Sequence, residues 1–400
     1  MALQPAAPPS TQPGPRPDDG QPQGQAGGSA GEPDSVSSQL TALVHGAIAQ
    51  AGGWLAFDRF MALALYAPGL GYYANSSAKF GAMPQSGSDF VTAPELSPLF
   101  GQALAVQLRQ WLHDTGTDTV VEFGAGSGAL AEQVLDALGE AVACYQIVDL
   151  SGTLRQRQQA RLARFGARVQ WLSALPAAID GVVLGNEVLD AMPVQLLHFD
   201  GSAWFERGVV AQGNALAWGH RPTALRPPLA EQQAWVPGTV TEVHPQAKAF
   251  ITTLAGVLRR GAALFIDYGF PEAEYYLPQR HGGTLMCHRA HRADTDPLVD
   301  LGLKDITAHV DFTGIALAAQ DAGLDVLGYT TQAHFLMNCG VMVDLEGADL
   351  KTRTNTQKLL TEHEMGELFK VIAIATSIGC DPGFTAAPLG FSQGDRTHTL

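Results

Sequence analysis

A glycine run and a pair of acids hold the residues of this 400-residue chain that are best suited to chemistry. The run Glu122-Phe123-Gly124-Ala125-Gly126-Ser127-Gly128 lies between the apolar stretch TVVEF and the helical pattern ALAEQVLDAL. Glycine lets a backbone turn tightly and approach a ligand without Cβ clashes, so Gly124, Gly126 and Gly128 are expected to face a cofactor. The next apolar stretch ends about 20 residues further on at Asp149, where a carboxylate can accept both ribose hydroxyls of a nucleoside. Gly124-x-Gly126-x-x-Ala129 also satisfies a dinucleotide fingerprint, so the glycines alone leave nicotinamide and adenosyl cofactors open. Glu122 tips the balance. A pyrophosphate is anionic and docks at a helix N-terminus, where a carboxylate repels it; the sulfonium and ammonium of S-adenosylmethionine are favoured there. A third, purely structural use of these glycines is close packing of helix on strand.

The second motif is Gly185-Asn186-Glu187-Val188-Leu189-Asp190-Ala191-Met192-Pro193, directly after an apolar strand pattern. In open α/β sheets the ligand crevice lies beyond the carboxyl ends of the strands. Glu187 and Asp190 are three apart, so one helical turn puts both carboxylates on one side. Two carboxylates there, beside Asn186, could grip a guanidinium, whose planar fork matches them. Asp190 as a turn cap before Pro193, with Glu187 a solvated charge, accounts for the same residues equally well. Asp89, Thr92, Pro94 and Glu95 sit in the long glycine and polar stretch GLGYYANSSAKFGAMPQSGSDFVTAPE, which could close over the cofactor; Thr92-Ala93-Pro94 also reads as a plain turn. Asp267-Tyr268-Gly269 is either part of the site or a strand terminus. His309 and Asp311 read as a helix cap and its neighbour, and Glu242 with His244-Pro245 as a helix start. Cys287-His288 with His291 points apart in an extended chain, and the four cysteines form no CxxC pair, so no metal is expected.

These motifs need a frame. Apolar strands TVVEF, CYQIVDL, VQWL and GVVLGN alternate with helical patterns, which argues for an α/β fold with a doubly wound parallel sheet. PQAKAFITTLAGVLRRG is expected as a helix feeding the strand AALFIDY, and DFTGIALAAQDAG as a helix capped by Asp311 and feeding LDVLGYTT. FKVIAIATS is read as a closing strand. Segments near 195–235 and 270–310 interrupt the alternation as insertions; Trp204, Phe205 and Trp218 in the first are either a partner surface or buried hairpin residues. Residues 1–36, rich in Pro, Gly and Gln, are expected as a disordered tail. Helices and the long loop fill 37–115, with Ser97-Pro98 opening one helix. The cofactor domain follows over 116–391, and 392–400 form a C-terminal tail.

With 24 basic residues against 39 acidic and a net charge of −15, a phosphate-tracking surface is excluded and no nucleic acid is expected as partner. No apolar run reaches the length of a membrane span, and no leader is evident, so a cytoplasmic protein is expected. A homodimer stays open.

Several segments together are more specific than any one motif. FGAMPQSGSDFVTAPELSPLFGQALA, VVEFGAGSGALA, YQIVDLSGTLRQRQ and LGNEVLDAMPV, followed by EVHPQA, FIDYGFP, GTLMCHRAHRADTDPL, DITAHVDFTGIA and GELFKV, resemble the MidA-like methyltransferases over roughly residues 40–391. That family includes a mitochondrial complex I assembly factor described as a protein-arginine methyltransferase. The resemblance implies a class I, Rossmann-like methyltransferase fold, with seven mostly parallel strands of which the last is antiparallel. It implies S-adenosylmethionine on Gly124, Gly126, Gly128 and Asp149, with Asp89–Glu95 and Asn186–Asp190 facing the transferred methyl. The substrate it implies is arginine of a protein such as a respiratory-chain subunit. An NAD-dependent oxidoreductase and a non-catalytic assembly factor are the competing functions. The chain departs from the family pattern at Ser88, between Gly87 and Asp89, at Asp149 in place of Glu, and at His288.

Overall fold

The computed structural model describes residues 33–75, 92–149, 152–289, 292–376, 384 and 387–400. Most of the expected N-terminal tail and Asp89 lie outside these residues. Helix α1 (Pro33–Gln50) begins ahead of the expected start at Ser37. Its Leu40, Val44 and Ile48, spaced at i, i+4, make one apolar stripe against Phe57, Phe60 and Leu65 of α2 (Phe57–Tyr66). Helix α3 (Pro98–Thr115) opens as its sequence suggests: the Ser97 hydroxyl accepts the Leu99 N–H at 3.2 Å, and Pro98 occupies the first helical position.

The alternation then runs β1 (Thr119–Phe123), α4 (Ala129–Leu138), β2 (Cys144–Val148), α5 (Gly152–Leu162), β3 (Val169–Leu172) and β4 (Ile179–Asn186). After the first insertion come α6 (Pro245–Val257) and β5 (Leu258–Phe270), then α7 (Phe312–Asp321), β6 (Asp325–Thr331) and β7 (Phe369–Thr376). The strand order is β6-β7-β5-β4-β1-β2-β3, with β7 antiparallel to both neighbours and the rest of the sheet parallel. This is the class I methyltransferase sheet.

Strand alternation divides the core. Val120, Tyr145, Val182, Leu184 and Leu264 face α3 and α4, whereas Val121, Val183, Ala263, Phe265 and Ile372 face α6 and α7. Asp311 caps α7 by accepting the Gly314 N–H at 3.0 Å. Strand β5 starts at Leu258, earlier than expected, and takes LRRG out of the helix. Leu258 is buried in the sheet core, and at Gly261 (φ +139°) a Cβ would lie 1.8 Å from the Gly181 carbonyl oxygen. Two strands passing that closely need glycine there.

The insertions build their own sheets. Segments Gln195–Phe199, Trp204–Gln212, Ala215–Pro222 and Val240–Val243 form an antiparallel sheet closed by Leu55–Ala56. Trp204 packs against Phe199 and Trp235, and Trp218 lies between Phe57 and the Arg207 guanidinium, so both belong to packed clusters rather than to a partner surface. A second small sheet joins Met286–Arg289, Arg292–Asp294 and Asp305–Thr307. Residues 392–400 are not a loose tail. Asp395 accepts the Tyr329 N–H at 3.0 Å, and Arg396 donates its own N–H to the Tyr329 carbonyl at 2.6 Å and its guanidinium to Glu367. No helix of the described residues is long and apolar enough to cross a membrane.

Candidate active site

The site gathers at the carboxyl ends of β1, β2, β4 and β5. Strand β1 runs into the glycine loop, where Gly124, Gly126 and Gly128 have φ of +61°, +53° and +82°. A side chain at each would be strained in this left-handed region, so the loop presents bare backbone. Gln158 of α5 fixes it from behind. Its amide nitrogen donates to the Gly126 carbonyl at 3.0 Å and to Asp149 Oδ2 at 2.7 Å, while its oxygen accepts the Trp171 indole N–H at 3.0 Å. One buried side chain thus joins the loop to the acid at the end of β2. A Cβ-free cradle next to a carboxylate suits the adenosyl and ribose groups of S-adenosylmethionine.

Glu122 is buried, with 2 % exposure, on the α3 and α4 side of the sheet, and it accepts the Tyr145 hydroxyl at 2.8 Å. Burial pushes its pKa up to about 8; the Tyr145 hydrogen bond opposes this and the charge of Asp149 adds to it.

At the end of β4, Glu187 is one of the few non-glycine residues with positive φ, at +54°. Its N–H donates to the Ile266 carbonyl at 2.9 Å, and its Oε1 accepts the Asn186 amide at 3.0 Å. Burial, with the charges of Asp190 and Asp305 adding, raises Glu187 to about 8; hydrogen bonds from Asn186 and the Ala93 N–H partly offset this. Asp190 accepts the Tyr268 hydroxyl on Oδ2. Burial raises it to about 6, against that hydrogen bond. Asp267, in the carboxyl-terminal part of β5, accepts three backbone N–H groups on Oδ2, from Val188 at 3.1 Å, Leu189 at 2.9 Å and Asp190 at 3.3 Å. Its pKa is raised by burial and by the charges of Asp190 and Glu187. Around these acids stand Tyr66, which donates to the Ala191 carbonyl at 2.8 Å, and Tyr73, stacked on Tyr66 and donating to Asp305 at 2.8 Å.

One turn, Ala93–Leu96, bridges the two halves. Its Ala93 N–H reaches Glu187. Its Glu95 accepts the Ser127 hydroxyl from the glycine loop and the Arg161 guanidinium at 2.9 Å. Pro94 turns its carbonyl to the Gln133 amide at 2.7 Å.

Residues 103–330 match a family model of S-adenosyl-L-methionine-dependent methyltransferases. The chain belongs to this family. A chain from Burkholderia thailandensis, crystallised with S-adenosyl-homocysteine, is 49 % identical and superimposes with a TM-score of 0.86 over 93 % of this chain and 100 % of that one. The protein arginine methyltransferase NDUFAF7 of Danio rerio is 27 % identical over 81 % of this chain and 84 % of its own length. The Caenorhabditis elegans homologue of that protein is also 27 % identical, over 72 % of this chain and 74 % of its own. The cofactor of the methyltransferase is S-adenosylmethionine, and the nicotinamide alternative falls.

In the methyltransferase, Glu122, Gly124, Gly126, Gly128 and Asp149 meet at one end of the sheet, and Asn186, Glu187 and Asp190 at the neighbouring strand end. Glu95 and Pro94 hold the turn between them by their bonds to Ser127, Arg161 and Gln133 rather than by facing the acids. Glu242, read as a helix start, is instead a buried strand residue of the inserted sheet, accepting the Thr284 and Leu285 N–H groups at 2.9 and 3.1 Å. Sequence reasoning did not single out Tyr66, Tyr73, Asp305, Gln158 or Arg161. Tyr66 and Tyr73 come from elements far from what they touch, at 125 and 232 positions, whereas Gln158 lies nine residues from Asp149; only the paired aromatics of PGLGYY carried a visible signal.

Proposed function

We propose that this methyltransferase modifies a guanidinium nitrogen of arginine in a protein substrate, with Glu187 and Asp190 holding the guanidinium. One observation carries the reading. Two carboxylates share a short turn at the ligand end of the sheet, and among the described residues neither is ion-paired. Their raised pKa values come chiefly from burial, with no cation beside them to offset it. A bound guanidinium supplies that cation, lowers both values and is gripped in return. The names of the relatives in fish and nematode point to the same acceptor.

Gly124, Gly126, Gly128 and Asp149 would hold the cofactor. When bound, S-adenosylmethionine supplies an electrophilic methyl group on its sulfonium. Glu187 and Asp190 draw the guanidinium charge onto the nitrogens they bind, which leaves the remaining nitrogen nucleophilic. One of the two takes the proton released on transfer; the bound guanidinium, by lowering both pKa values, keeps them ionised to receive it. Tyr66 and Tyr73, stacked on one another, stand beside these acids.

The test is incorporation of labelled methyl into arginine-containing peptides by the full chain and by Glu187→Gln. Transfer to arginine that Glu187→Gln abolishes supports the reading. Binding of S-adenosyl-homocysteine without transfer to any protein would favour an assembly factor that keeps the cofactor site.

A further inference from the structure

We infer that Asp267 is the positioning residue of the acceptor acids: it sets Glu187 and Asp190 through the backbone between them and does not itself touch substrate. The inference rests on the proposed role of Glu187 and Asp190. Three consecutive residues in the carboxyl-terminal part of β5, Ile266 to Tyr268, hold the motif step by step. The Ile266 carbonyl accepts the Glu187 N–H at 2.9 Å, Asp267 Oδ2 gathers the N–H groups of Val188, Leu189 and Asp190, and the Tyr268 hydroxyl donates to the Asp190 side chain. Asp267 Oδ1 is taken by the Tyr268 N–H at 3.0 Å, so both of its oxygens are turned inward.

The backbone geometry explains the need for such an anchor. Glu187 is in the left-handed region, which a glutamate adopts only when its surroundings impose it. Three N–H groups converging on one oxygen form a nest that a carboxylate fills and a neutral amide oxygen fills poorly. Asp267 is 1 % exposed, too deep to meet an incoming side chain. It is placed to determine where Glu187 points rather than to do chemistry.

The experiment is a carbon-13 titration of the glutamate carboxyl groups in the full chain, with the Glu187 signal assigned by its absence in Glu187→Gln. In the wild-type chain Glu187 faces Asp190 and Asp305, the Asn186 amide and the Ala93 N–H, and its midpoint is high. In Asp267→Asn the turn loosens and a neighbouring acid is gone. Both changes move the midpoint of Glu187 down, by at least about one pH unit, while affinity for S-adenosyl-homocysteine stays within about threefold. Asp267→Ser, which retains one acceptor oxygen, serves if the amide variant does not fold. An unchanged Glu187 midpoint in a folded variant overturns the inference. So does rapid hydrogen exchange at Val188 and Leu189 in the wild-type chain, which requires no variant. The titration is independent of the acceptor, so failure of the arginine reading shows separately, as methyl transfer retained by Glu187→Gln.

Discussion

Glu95 accepts the hydroxyl of Ser127 from inside the glycine loop. Two residues earlier, the Ala93 N–H reaches Glu187. A turn of four residues therefore touches the glycine loop at one end and Glu187 at the other. The Arg161 guanidinium completes the junction, donating to Glu95 at 2.9 Å and to the Ser127 oxygen at 2.7 Å.

Because this junction is partly solvent-exposed, its loss costs little stability, about 0–1 kcal/mol. Arg161→Ala is therefore expected to unfold within a few degrees of the wild-type chain. It should nevertheless bind S-adenosyl-homocysteine about tenfold more weakly, measured by calorimetry. In a double-mutant cycle Arg161→Ala and Glu95→Gln should be non-additive. Additive effects would mean that the two residues act separately.

Gly126→Val places a β-branched side chain where φ is +53°, a conformation costing roughly 1–2 kcal/mol for an L-residue. It also fills the backbone cradle. Affinity for S-adenosyl-homocysteine is expected to fall by at least about 100-fold, equivalent to about 2.7 kcal/mol, while circular dichroism stays that of the folded chain. Retained affinity would move the cofactor off this loop.

Tyr268→Phe removes the donor to Asp190 and keeps the ring packed against His309 and Phe369. A hydrogen bond to a charged group is worth about 1.5–3 kcal/mol, so methyl transfer should drop by roughly 10- to 100-fold. That bond holds the Asp190 pKa down. Without it the acid limb of the pH–rate profile should move to higher pH. An acid limb that stays in place while the alkaline limb moves to higher pH would show that Asp190 works in its protonated form.

Glu122 titrates near 8 in the folded chain, well above an ordinary glutamate, chiefly because it is buried. Between about pH 4.5 and pH 8 the folded state thus binds more protons than the unfolded state at this residue, and its contribution to stability falls as pH rises. Glu122→Gln, still able to accept from Tyr145, abolishes that dependence. Its Tm relative to wild type should improve steadily from pH 5.5 to pH 8.5 in the absence of cofactor. A constant difference across that range would place the wild-type Glu122 pKa below its lower end.

Much of this was legible in the sequence because it is local. Glycines after a strand, an acid closing the next strand, and Glu187 and Asp190 three residues apart are all spacing signals. Ser97 and Asp311 announced their helices in the same way. What was not legible depends on distance along the chain: Tyr268 meets Asp190 across 78 positions and Tyr73 meets Asp305 across 232. The helical pattern that carried LRRG past Val257 was overridden by burial of Leu258 and by the close pass of Gly261 on Gly181. The polar run SQGDRTHTL has the composition of a tail, yet it covers the outer edge of β6, an edge whose unpaired backbone groups need partners.

The most direct measurement is mass-spectrometric localisation of the methyl group after reaction of the full chain with labelled S-adenosylmethionine and a protein extract. In the wild-type reaction the label is expected on a guanidinium nitrogen of arginine. None is expected with Glu187→Gln, although that variant still binds S-adenosyl-homocysteine. Label on another atom, or equal arginine label with Glu187→Gln, would contradict the proposed function.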